Sequence, residues 1–174
     1  MTNFTVTLAA LREEGACING YNKVVRAVQG QEFSDGDHGR ETYIHFAHKD
    51  PIPLILIVES NGIDDALWAL RCVPGCDRDA RLFAVWCARQ VQHLMTDARS
   101  TAALDVAENF ANDRASNDEL DAARAAAREA AWEAARAAAR DAAGAAAWDA
   151  AWDAQKRMFI DMCNGFAPWQ EQPK

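Results

Sequence analysis

The side chains best suited to chemistry form two small groups. Glu41, His45 and His48 stand at i, i+4 and i+7. They share one helix face if residues 40–48 are helical, and two imidazoles with a carboxylate can hold a divalent metal. The spacing matches no specific metal motif, and no glutamate base stands between the histidines. The second group is Cys72, Cys76, Cys87 and His93. Its Cys-x3-Cys opening has poor precedent as a zinc site, and Cys72 and Cys87 fall on apolar helix faces, where a thiol is a small buried hydrophobe. Cys87 and His93 make no nucleophile–base pair on a single helix, because six residues leave their side chains about 120° apart. No phosphate-cradling glycine loop, Gly-x-Ser-x-Gly elbow or dinucleotide fingerprint occurs. The expectation is a protein without catalytic residues, cofactor or metal, with Glu41, His45 and His48 as the residual metal candidates.

Composition narrows the partners. The 174 residues include 26 acidic and 18 basic side chains, for a net charge of −8. A general nucleic-acid binder carries a basic face, so direct nucleic-acid binding is not expected, whereas a protein partner is. Five scattered cysteines, an odd number, do not make a disulfide framework. The longest apolar run, residues 52–58, falls far short of the roughly 18 residues that would span a membrane. The opening Met1-Thr2-Asn3-Phe4 has no basic stretch leading into an apolar core, so a cytoplasmic location is expected.

The elements that must position these groups read as helices. Val6, Leu8 and Leu11 recur at helical spacing behind Thr7, a plausible N-cap, and Gly15 ends that helix. Residues 21–28 form a second helix ended by Gly30. Residues 34–39 are the most loop-like stretch, and residues 40–48 fit helix or strand. The run 54–58 fits either as well, but a lone strand has no partner for its backbone groups, so helix is expected. Residues 64–73, 77–95 and 100–111 follow as amphipathic helices, with Pro74-Gly75 as a turn.

Ser116 and Glu119 form a capping box ahead of a long alanine-rich segment that ends near Asn164-Gly165. Within it Arg124, Arg128, Trp132, Arg136, Arg140, Gly144, Trp148, Trp152 and Lys156 recur every fourth residue. Alanine is the strongest intrinsic helix former, so a helix of roughly 65–70 Å is expected, continuous through Gly144 or bent there, with continuity favoured. A four-residue step overshoots one turn by about 40°, so the row of large residues winds around the helix and is no leucine zipper. The expected division is a helical body over residues 1–115, this helix over 116–165 and a flexible tail over 166–174.

The stretch Asn61-Gly-Ile-Asp-Asp-Ala-Leu-Trp-Ala-Leu-Arg-Cys72, the stretch Arg81-Leu-Phe-Ala-Val-Trp-Cys-Ala-Arg-Gln-Val-Gln-His-Leu-Met95 and the alanine–tryptophan tail resemble a bacterial and phage family of immunity-type proteins related to the immunity partners of polymorphic toxins. Residues 43–48 look most like phage- and prophage-borne members. The resemblance covers roughly residues 8–160. It implies an all-α fold and a protein that binds and neutralises another protein, either a toxin or a host defence component. The contact candidates are Asp35 and Asp37 in the loop, with Trp132, Arg136, Arg140, Trp148, Asp149, Trp152 and Asp153 on the long helix. The alternative is a scaffold that homodimerises through that helix.

Overall fold

A computed structural model of the chain describes the backbone of residues 4–138 and 145–170, and the side chains among them outside 132–150. The fold is all-α, with one two-residue strand pair among the described residues. None of the described helices is long and apolar enough to cross a membrane. The chain divides into two compact units, one of residues 1–76 and 160–174 and one of residues 77–159. The body expected over residues 1–115 thus spans both.

In the first unit, strand β1 (Thr5–Val6) pairs antiparallel with β2 (Ile52–Pro53), Thr5 opposite Pro53 and Val6 opposite Ile52. Helix α1 (Leu8–Glu13) starts at Thr7, whose hydroxyl accepts the Ala10 N–H at 3.1 Å, the expected cap. It ends in a reversal at Gly15 (φ +80°), where Ala16 N donates to Leu11 O. Helix α2 (Ile18–Val28) follows, then the short α3 (Asp35–His38), an irregular segment, α4 (Leu54–Asn61) and α5 (Ile63–Ala69), which tightens into a 3-10 turn at Leu70–Cys72. The apolar run at 54–58 is therefore helix. The ladder comes immediately before it and hands over when Leu54 N donates to Phe4 O at 2.9 Å. Leu54, Ile57 and Val58, at i, i+3 and i+4, are buried along with Val24 and Val25 of α2, which packs on α4.

Residues 40–50 are neither helix nor strand. A segment without a ladder must find partners elsewhere for its backbone polar groups. Asn22, wholly buried on α2, supplies two of them. Its Nδ2 donates to Thr42 O at 3.1 Å, and its Oδ1 accepts the Ile44 N–H at 2.7 Å. Tyr43 Oη donates to Ala16 O at 2.6 Å and its ring meets Tyr21 edge-on at 4.9 Å. The ambiguous pattern at 40–48 thus resolves as a strap pinned to α2.

The second unit is built from α6 (Asp77–Gln90), α7 (Ala98–Ala111), α8 (Asn117–Ala138) and α9 (Ala145–Asn164) as far as Phe159. Leu82, Phe83 and Val85 of α6 are buried, and Phe83 meets Phe159 edge-on at 5.5 Å. Arg89 ties α6 to α7 through Asp105 at 2.7 Å and Glu108 at 2.8 Å. The expected capping box is present: Ser116 N and Oγ donate to Glu119 Oε2, and Glu119 N donates back to Ser116 Oγ. Continuity through Gly144, and with it the winding of the whole Arg/Trp row, lies outside the described residues.

The tail departs from expectation as far as residue 170. Phe166 N donates to Asp161 O and Gly165 N to Met162 O, reversing the chain at the end of α9. Ala167 is fully buried, and Gln170 Nε2 donates to Met162 O at 3.1 Å. These bonds hold residues 166–170 against the first unit's own last turn of helix.

Asn22→Ala leaves the Thr42 carbonyl and the Ile44 amide without protein partners, at a cost of about 1–3 kcal/mol each. A melting temperature roughly 4–24 °C below that of the wild type is expected. Calorimetry of the two proteins checks this.

Candidate functional site

Helices α1, α2, α4 and α5 of the first unit leave a cleft of about 390 Å³. Its inner wall is apolar, from Leu11, Val24, Ile57 and Ala69, with Tyr21 buried beside them. Its polar rim holds Cys17, Asn61, Asp64 and Asp65, with Trp68 as a second aromatic wall. That volume falls within the roughly 300–1,000 Å³ of ligand sites, and the pairing of an apolar wall with a few convergent polar groups is the usual composition of such sites.

One backbone device assembles the rim. Gly62 ends α4 and begins α5 at φ +96°, ψ 173°, a conformation open essentially to glycine alone. That break leaves Asn61 as the last residue of α4, beside the first turn of α5 that carries Asp64 and Asp65. Asn61 Nδ2 then donates to both Asp65 Oδ2 and Gly20 O at 2.8 Å, locking the start of α5 to α2. Gly20 has little room for anything larger, since a Cβ there would lie 3.1 Å from both Asp65 Oδ2 and Cys17 Sγ. Asp64 and Asp65 occupy the first turn of α5, where the helix dipole favours carboxylates. Neither takes part in an ion pair among the described residues.

The cleft's titratable groups include a phenol and a thiol. Burial pushes the Tyr21 hydroxyl above its ordinary range, so it stays protonated. Cys17 Sγ, the N-cap of α2, accepts the Gly20 N–H at 3.3 Å, and the lining includes no imidazole to act as its base.

The residues singled out from the sequence fall in various places. Glu41, His45 and His48 lie in the irregular strap, so the helix face that would align them does not form. Cys72 and Cys76 belong to the first unit and Cys87 and His93 to the second. Among the described residues no group of three or more His, Cys, Asp or Glu is placed to hold a metal. Burial pushes the Cys87 thiol up to about 11, which keeps it protonated at neutral pH.

Asp35 is exposed, but Asp37 is not the surface acid expected of a loop. Residues 35–38 form one helical turn, and the Asp37 carboxylate, 3% exposed, is clasped inside. Arg26 holds it with two bonds at 2.7 and 3.1 Å, Arg40 adds one at 3.0 Å, and Ser34 donates from both N and Oγ. Its role is to fasten residues 34–40 to α2. On α9, Trp152 is 42% exposed and Asp153 is exposed. The side chains of Trp132, Arg136, Arg140, Trp148 and Asp149 lie outside the described residues.

None of the candidate site residues named from the sequence lines the cleft. The signal available was Asp64, Asp65 and Trp68 at i, i+1 and i+4 of one helix, with Asn61-Gly62 just before it. A scan against protein-family models, a search of curated proteins and a search of solved structures each returned no match.

The guanidinium of Arg26, then the Ser34 donors and Arg40, hold the Asp37 carboxyl well below the usual carboxylate range. Arg99 likewise lowers Asp97 in the second unit to about 2. A carboxyl whose pKa is lower folded than unfolded adds stability that is complete above its unfolded value of ~4 and drains away as pH falls below it. Asp37→Asn is therefore expected to lower the melting temperature by several degrees at pH 7. The gap to wild type should narrow steadily from about pH 4 downward. A pH series of thermal melts on both proteins checks this; a gap that is constant with pH contradicts it.

Proposed function

We propose that this chain is a non-enzymatic binding protein of the inhibitor or immunity type that neutralises another protein by direct contact. Its target is a toxin or a host defence component, and it works in the cytoplasm of a bacterial cell carrying a phage or prophage. The cleft of the first unit carries the reading: a preformed, largely apolar cavity whose two rim carboxylates lack a cation among the described residues. Asp64 is exposed and Asp65 half-buried with one bond from Asn61, so both carboxylates stand at the mouth within reach of a cationic group on an incoming partner. The net charge of −8 favours a basic partner in the same sense. The resemblance to immunity-type proteins implies the same mode of action.

A second reading, homo-oligomerisation through the alanine–tryptophan helix, draws on Trp152. A tryptophan left 42% exposed on a regular helix is apolar surface that a second chain would cover.

Affinity capture of the tagged chain from the cells that encode it separates the two. The proposal predicts one protein recovered near equal stoichiometry by the wild type and depleted at least severalfold by the Asp64→Asn, Asp65→Asn double variant. No specific protein recovered, or equal recovery by both, contradicts it. Light scattering covers the second reading, which expects a dimer that becomes a monomer on Trp152→Ala.

A further inference from the structure

The same cleft has features that specify what enters it. Resting on the reading just given, we infer that it receives an arginine side chain presented by a short segment of the partner protein.

Volume sets the first limit. About 390 Å³ is near the lower end of ligand-sized cavities, with room for one long side chain and not for a packed helix or hairpin. Charge sets the second. The cleft lies at the N-terminal ends of α2 and α5, and each end contributes at most about half a positive elementary charge. Asp64 and Asp65 contribute two negative charges, and no Lys or Arg is among the lining residues. Over the lining residues and helix ends alone the balance is roughly one negative charge, which favours a cation; Arg12 at Tyr21 and Arg71 over Trp68 are the guanidiniums next to that lining.

Shape and hydration set the third. The walls are Leu11, Val24 and Ile57 on one side and the Trp68 indole at the rim. A long methylene stem with a planar, weakly hydrated cation at its tip matches that sequence of surfaces. A guanidinium offers paired N–H donors to carboxylates and stacks on indole, which an ammonium does less well. Trp68 already draws one guanidinium to its ring, that of Arg71, 4.6 Å from the centroid. Arg71 is anchored by its bond from Nε to Trp68 O at 3.0 Å, and it makes no ion pair with either carboxylate among the described residues. Gly15 and Ala16 put only small groups on the other lip, and open space over Gly15 lets a peptide backbone come close enough to insert a side chain.

The test uses the full chain, labelled with nitrogen-15, and the capped peptide Ala-Ala-Arg-Ala-Ala. Amide shifts are expected at residues 61–68 and 17–21. Binding should be roughly tenfold weaker for the same peptide with citrulline in place of arginine, and for the Asp64→Asn, Asp65→Asn variant. Citrulline has nearly the shape of arginine and no charge, so this comparison needs no mutant to fold. Equal shifts with the citrulline peptide, or shifts confined to other residues, overturn the inference. If the arginine peptide leaves the cleft untouched while affinity capture still recovers a partner that the double variant loses, the arginine assignment fails and the binding function stands. If neither occurs, both fail.

Discussion

Residues 40–50 run across the first unit without a backbone ladder, and the buried amide of Asn22 is what makes that possible. A wholly buried side-chain amide is tolerated only when its donors and acceptor are used, because an unmade hydrogen bond costs more than a made one gains. Asn22 meets this condition by bonding two backbone groups, at Thr42 and Ile44, and so converts an irregular stretch into a fixed wall. The Arg26–Asp37 clasp repeats the device one turn along α2, fixing residues 34–40 with a charged pair. With its outer side loaded in this way, α2 can turn Cys17, Gly20, Tyr21 and Val24 toward α4 and α5, where the cleft forms.

The two units are stabilised in different ways. The first relies on β-branched and aromatic side chains and on a few buried polar bonds. The second is an amphipathic stack in which small alanines let helices approach closely and aromatic pairs such as Phe83 and Phe159 supply the area. Its polar ties, Arg89 to Asp105 and Glu108 and Arg99 to Asp97, are largely solvent-facing and set geometry more than stability.

Much of the fold was legible because its signals are local. Thr7, the Ser116–Glu119 box, Pro74-Gly75 and the 3.6-residue periodicity each act within one turn of chain, and the all-α class follows from them. The helix at 54–61 was read correctly on an incomplete premise: a strand partner exists, at Thr5–Val6, but it takes only Ile52 and Pro53. Asp37 was misread because Ser, Asp and Gly in sequence resemble an exposed loop, while the residue that draws the carboxylate inward, Arg26, lies eleven positions earlier. The cleft was missed for a similar reason. Its walls come from residues 11–24 and 57–69, and only packing brings them together, although the run from Asn61 to Trp68 was present in the sequence.

On the proposed function, the cleft of the first unit is the surface that meets the partner. Hydrogen exchange on the chain, alone and bound to the protein recovered by affinity capture, tests that most directly. On binding, exchange is predicted to slow in residues 15–21 and 61–69. Slowed exchange confined to the helices of the second unit, with the cleft amides unchanged, would contradict it.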